Sequence, residues 1–372
     1  MVGVALVCAT AAQAAPRPLA PPQIGSVTKG AGKVATQMRD LQMTEEEEIT
    51  LGASVSGKVR ARYGVVQDKA VHRYVALVGT LIVKKGTRPN LPFTFVVLDT
   101  DGVNAFAAPG GFIHITRGAL ALMRNEAELA GVLSHEIVHV TEKHTIKAIQ
   151  KNKAIQMGAE ETLSNNPELF NKIVDKASEL VLAGFGRNEE LESDKIGVGL
   201  ADAEGYAPAG LSDFLTRLSD RNKSATEKQG LFASHPEMQE RLDRIAKTIA
   251  DRKLVATATL PDRFKATITY TPKAQTDIVG VAAGTSGLAG GSSKTTDTTA
   301  VKPDEPKKKG FGLGGLMKPA GSEKKQAEVT GSGASRGVDT ERNAKGGSNP
   351  ALVVVQITAA DLEAFRKQGS LK

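Results

Sequence analysis

Apolar positions recur at intervals of three and four residues over most of the stretch from Thr44 to Arg252, and between Leu91 and Thr116 this helical period gives way to short extended runs. Thr44, a capping residue followed by Glu45 to Glu48, predicts a helix that runs to about Tyr63, and a second helix is expected from Asp68 to Val83. LPFTFVVL, Leu91 to Leu98, reads as a strand, Asn104 to Ala107 as a short extended piece, Pro109 to Gly111 as a turn and Phe112 to Thr116 as another strand. Helical spacing returns over Asn125 to His144, where Leu129, Val132, Leu133 and Val140 recur without proline behind an acidic first turn. An amphipathic helix follows over 167–183, with Leu169, Phe170, Ile173, Val174, Ala177, Leu180 and Val181 on one side. Further helices are expected from Glu189 to about Ala203, over 208–222 and over 236–252. The pattern as a whole predicts an α+β fold, mostly helical, with a small sheet.

The flanks differ from this body. VGVALVCATAAQAAP is small and apolar and ends in an A-x-A signature, which predicts a secretory signal over 1–14 and an exported protein, although no basic region precedes the apolar run. Residues 15–40, rich in Pro, Ala and Gly, read as a flexible lead-in to a domain over 41–262, with 263–277 an extended segment. The stretch 278–350 is dominated by Gly, Ser, Thr, Lys and Pro without periodicity and is expected to be a disordered linker. ALVVVQI and Ala359 to Lys367 then predict a short strand and helix within 351–372, fit to dock on the body or on a partner.

Charge and cysteine content narrow the function classes. The net charge is +7 in 372 residues, and part of it comes from Val301 to Lys345, where ten Lys or Arg face six Asp or Glu. That run holds a single aromatic, Phe311, so a solvated linker is expected rather than a nucleic-acid site. The single cysteine, Cys8, lies within the predicted signal, which leaves no thiol nucleophile or cysteine-based metal site in the body. No stretch reaches the ~18 uncharged apolar residues that a membrane span needs.

The chemistry is concentrated in His135, Glu136, Ile137, Val138 and His139. Residues four apart share a helix face, so an H-E-x-x-H helix lets two imidazoles grip one metal while the glutamate reaches a water beside it. A catalytic zinc takes three protein ligands, and the third is not in an immediate extension of the motif, where Glu142 and Thr145 stand. RNEELESDKIG offers candidates: Glu190 and Asp194 are four apart on one helix face, with Glu192 pointing roughly the opposite way. One of the pair could bind the metal while the other orients a ligand histidine. His72, His114 and His144 have no comparable partners and read as structural.

Five segments in order resemble metallopeptidase family forty-eight, the gluzincins that include HtpX-like membrane proteases, CAAX prenyl endopeptidases and soluble BepA-like proteins. They are EEEEITLG, NAFAAPGGFIHITRGAL, ELAGVLSHEIVHVTEKH, RNEELESDKIG with GYAP after it, and SHPEMQERL, spanning about Thr44 to Lys253. The resemblance implies a zincin-type domain holding one zinc ion through His135, His139 and Glu190, with Glu136 as catalytic base and Asp194 behind a ligand histidine. The family usually has alanine where Ser193 stands, a small change. It also places His235 and Arg241 near the metal, as an oxyanion donor or metal cap and as a holder of a carboxylate or the substrate carbonyl. Asn104, Ala105 and Phe106 with the turn at Gly110 and Gly111 would form an edge strand beside the cleft, adding an extended peptide as a further strand.

The function expected on this basis is zinc-dependent hydrolysis of peptide bonds in extended or misfolded proteins, in periplasmic or envelope quality control. Outer-membrane or envelope assembly components would then be partners, and the outer membrane a place of association. The segment between His139 and Glu190 is expected to cover the cleft as a lid or plug; Lys172, Asp175, Lys176 and Glu179 oppose a membrane helix there. Two alternatives stay open: a latent or chaperone-like binding protein that keeps the zinc site without cutting, and a zinc amidase acting on cell wall.

Overall fold

Thr44 opens the first helix with a reciprocal cap. Its hydroxyl accepts from the Glu47 N–H at 3.2 Å while its own N–H donates to the Glu47 carboxylate at 2.9 Å, and four glutamates occupy the first turn, where the helix dipole favours them. The computed structural model describes residues 43–151, 166–222, 238–274 and 349–372. Helix α1 spans Glu45–Tyr63 and α2, capped by the Asp68 carboxylate, spans Lys69–Val83. Strands β1 (Thr94–Leu98), β2 (Ala105–Ala108) and β3 (Phe112–Thr116) form one sheet in the order β1-β3-β2. β1 runs parallel to β3 and β2 antiparallel to it, with Phe106 opposite His114.

The turn between β2 and β3, Pro109–Gly111, is pinned to α1. Gly110 has φ +68°, a left-handed conformation that a side chain disfavours, and a Cβ there would lie 2.5 Å from the Ile49 Cα. Its N–H donates to the buried Glu48 carboxylate at 3.2 Å, which also takes Arg88 Nη1 at 2.9 Å and Lys143 Nζ at 3.2 Å. Burial alone would raise the pKa of Glu48, but these donors outweigh it and hold the carboxyl below its ordinary range.

The remaining helices are α3 (Arg117–Leu122), α4 (Glu126–Thr141), α5 (His144–Lys151), α6 (Pro167–Ala183), α7 (Arg187–Glu204), α8 (Gly210–Asn222), α9 (Met238–Asp251), α10 (Pro261–Thr267) and α11 (Ala359–Gln368). Helix α4 is buried from Glu126 to Val140, so no face of it meets solvent; it is the central element, packed by α2, α7, α8 and β2. No described helix is long and apolar enough to cross a membrane.

Three expectations change. The helix read from Asn125 to His144 stops at Thr141: Lys143 takes φ 56°, and His144 starts α5 in a new direction. Pro261–Thr267, partly read as extended, is a helix with proline in its first turn, and Phe264 and Ile268 join the core. Residues 351–357 carry no strand pairing; they run along α1 and α2, where Val65 N–H donates to Asn349 O at 2.7 Å and Arg73 Nη1 to Gln356 O at 3.0 Å. Helix α11 buries Leu362 and Phe365 in the same core, so the packed unit does not stop at residue 262 but takes in the described residues up to 274 and from 349 to 372. The predicted signal, lead-in and all of the linker but its last two residues lie outside the described residues, as does His235.

Candidate metal centre

Helices α4 and α7 carry the centre between them. Their close approach is possible because Gly197 faces α4: a Cβ at that position would lie 3.1 Å from the His135 backbone nitrogen. One and two turns earlier on α7, Asp194 and Glu190 therefore reach the His135 and His139 side chains. His135 Nε2 and His139 Nε2 are 3.0 Å apart, and the Glu190 carboxylate oxygens stand 3.4 and 3.5 Å from them. One donor atom from each residue lies within 4.8 Å of the others, and all three residues are buried. Two nitrogens bound tetrahedrally to one zinc at 2.0–2.1 Å would be about 3.3 Å apart, so the spacing and the two-nitrogen, one-oxygen donor set fit such an ion.

Each imidazole also has a partner on its outer nitrogen. His135 Nδ1 donates to Asp194 Oδ1 at 2.9 Å, and Arg241 grips that carboxylate through Nε at 2.8 Å and Nη2 at 2.7 Å while its Nη1 lies 3.1 Å from Glu190. Burial disfavours the charge on all three groups. Arg241 and His135 outweigh it at Asp194, whose carboxyl stays below its ordinary range, and the bonds from Asp194 and Glu190 outweigh it at His135, raised to about 9. On the second histidine, His139 Nδ1 lies 2.8 Å from His144 Nδ1, and His144 Nε2 is 3.1 Å from Glu192 Oε2. Phe185 stacks on the His139 ring with centroids 4.2 Å apart. Glu136, next to His135, is 1% exposed, and its charge helps to keep Arg241 protonated.

Residues 68–249 match the sequence profile described as Peptidase family M48. The chain carries a family M48 peptidase domain. The M48 region is similar to the beta-barrel assembly-enhancing protease of Yersinia pestis, 25% identical over 53% of this chain and 43% of that one. It is also similar to the metalloprotease YcaL of Escherichia coli, 29% identical over 44% of this chain and 64% of that one. A third relative is the mitochondrial metalloendopeptidase OMA1 of Schizosaccharomyces pombe, 23% identical over 49% of this chain and 54% of that one. The match thus covers less than half the length of the beta-barrel assembly-enhancing protease.

Within the M48 domain, the structure brings together His135, His139, Glu190, Asp194 and Arg241 from the residues singled out in the sequence. The guanidinium of Arg241 lies against Asp194 and Glu190. Ala105 and Phe106 lie on β2, which stands last in the sheet order and, among the described residues, pairs with β3 alone; Asn104 precedes it. That edge is not bare. Ala105 to Gly111 are buried, α6 packs against β2, and Tyr63 stacks on Phe106 with centroids 5.9 Å apart.

Helix α6, expected to cover the cleft, packs on α1, α5 and β2, and it is Phe185, just past its C-terminus, that lies on a ligand ring. His144 is not a bystander, and Glu192 does not point away into solvent alone, because α5 folds back over the end of α4 and joins them. Neither contact had a sequence signal beyond the presence of a histidine five positions after the motif.

Proposed function

We propose that this chain is a zinc-dependent metalloendopeptidase holding one zinc ion per chain through His135, His139 and Glu190. The observation that supports this reading best is the convergence of His135 Nε2, His139 Nε2 and the Glu190 carboxylate beside a buried glutamate, Glu136, on the same helix as the two histidines. A zinc ion bound there supplies Lewis-acid chemistry, polarising a scissile carbonyl and acidifying water toward neutrality. Glu136 takes the proton of the attacking water on its carboxylate and passes it to the leaving amine nitrogen, so that the peptide bond is cut with no net proton change at the enzyme. Asp194 holds the proton of His135 on Nδ1 and thereby keeps the Nε2 lone pair available to the metal. Arg241 fixes Asp194 and screens Glu190. His235, which lies outside the described residues, is assigned by the family resemblance alone either to the oxyanion that develops on the carbonyl or to capping the metal.

The substrates we assign are extended or misfolded proteins of the periplasm or envelope, bound along the β2 edge once α6 is displaced from it. The name of the relatives, beta-barrel assembly-enhancing protease, supports quality control of outer-membrane proteins as the setting. Burial of His135, Glu136, His139 and Glu190 favours a second reading, a latent or substrate-binding form that cuts only once the cover opens. Cleavage of casein by the wild type and by Glu136→Gln, with zinc counted in both, decides between them. The peptidase reading expects zinc in both proteins and a loss of cleavage of about 10²–10⁴-fold in the variant. Zinc in both with no cutting by either would leave the latent form.

A further inference from the structure

The outer nitrogen of His139 is served by another histidine rather than by a carboxylate, and this fixes where two protons sit. If His139 presents Nε2 toward His135 and Glu190 as an acceptor, its ring proton is on Nδ1. That proton faces His144 Nδ1 at 2.8 Å, so His144 must accept there and carry its own proton on Nε2. The proton on His144 Nε2 in turn points at Glu192 Oε2, 3.1 Å away. His144 is 2% exposed, whereas the Glu192 side chain is 47% exposed, so the chain of bonds begins at the metal centre and ends at the surface. Phe185 flanks both rings, with centroids 4.2 Å from His139 and 5.8 Å from His144.

We propose that His144 is a positioning residue of the metal centre: it sets the tautomer and ring orientation of His139, and Glu192 sets those of His144. The inference rests on the assignment of His139 as a ligand and deepens it. Without His144, the His139 proton is free to sit on either nitrogen, and the form with the proton on Nε2 cannot bind a metal. Groups that hold the outer nitrogen of a ligand histidine are worth 10–100-fold in metal affinity.

The test measures the zinc dissociation constant of the full chain by competition with a chromogenic chelator, together with the thermal midpoint of the metal-free protein. His144→Leu keeps the volume and removes the acceptor; it is expected to weaken zinc binding about 10–100-fold. His144→Asn places an amide oxygen near the Nδ1 position and is expected to restore affinity to within about threefold of wild type, which packing alone would not do. Glu192→Ala, at the exposed end where water substitutes, is expected to cost about two- to tenfold. Unchanged affinity in His144→Leu, or equal weakness in the Leu and Asn variants, overturns the proposal. If His144→Leu has no thermal transition, Glu192→Ala decides, and unchanged affinity there overturns it as well. Failure of the wild type to bind zinc would overturn the metal-centre reading and this inference together, whereas tight wild-type binding with an unaffected His144→Leu overturns the inference alone.

Discussion

The two ends of α4 each bury a carboxylate against an arginine, and the two carboxylates are used differently. At the N-terminal end Glu126 accepts from Tyr74 Oη at 2.6 Å, Tyr206 Oη at 2.7 Å and Arg263 Nε at 2.7 Å, and Arg263 Nη2 completes the fork. Each oxygen takes two donors, so the carboxylate is saturated. Burial first, and the Glu126 charge second, push both tyrosine hydroxyls above their ordinary range, which keeps them protonated as donors. At the other end the Glu190 oxygens stand 3.4 and 3.5 Å from two imidazole nitrogens, long for hydrogen bonds and close to the separation that a shared ion imposes. The first acid is hemmed in by donors, and the second is spaced from two imidazole nitrogens as a shared metal ion would require. Exposure alone would not separate them, since Glu126 is 0% and Glu190 1% exposed.

Removing the saturated acid should have the largest effect. Glu126→Ala leaves Arg263 and two tyrosine hydroxyls without their acceptor, and the expected loss is about 3–5 kcal/mol in chemical denaturation. The zinc content of the molecules that remain folded should be unaltered; a loss below about 1 kcal/mol would mean that the cluster does not anchor this end of α4. At the other end, Asp194→Asn should weaken zinc binding about 10–100-fold, equivalent to about 1.4–2.7 kcal/mol, by loosening His135 and freeing Arg241. Affinity equal to wild type would remove Asp194 from the centre.

Near neutral pH the smallest effect concerns an imidazole in neither cluster. His114 on β3 is fully buried with Ser56 Oγ 2.9 Å from its Nε2, and burial lowers its pKa to about 3. The folded value lies below the unfolded one of about 6.5, so the unfolded chain binds the proton first. The contribution of His114 is therefore intact above pH 6.5 and lost as pH falls toward 3, at up to about 1.4 kcal/mol per pH unit. Denaturation of the wild type and His114→Asn at pH 7, 6 and 5 should show a shallower acid slope in the variant. Parallel slopes would show that this histidine is protonated without cost.

The parts of this arrangement that depend on local spacing were legible in the sequence. His135 and His139, or Glu190 and Asp194, share a face because four residues make about one turn, and the cap at Thr44 is a two-residue pattern. What remained hidden depends on chain reversals without a local sign. Lys143 enters a left-handed conformation with neither glycine nor proline to announce it, and that reversal alone brings His144 to His139. Arg263 and Glu126 are far apart in the chain, and nothing in the composition of either neighbourhood distinguishes their buried pair from surface charges. The short α10 escapes the sequence pattern for the opposite reason: its helical tendency is weak, and burial of Phe264 against the core supplies what propensity does not.

Helix α11 reaches the anchor end of α4 indirectly. Arg263, which grips Glu126, also donates from Nη1 to Phe365 O at 2.6 Å and lies over the Phe365 ring at 3.9 Å, while Arg366 binds Glu204 at 2.9 Å. Residues 349–372 are therefore a ligand of the domain that happens to be covalently attached. Attachment makes their binding intramolecular, governed by an effective concentration rather than by how much protein is present. A single cut in the chain between residues 274 and 349 would leave the described contacts of 349–372 chemically intact yet turn their attachment over α2 and α10 into one that dilution removes.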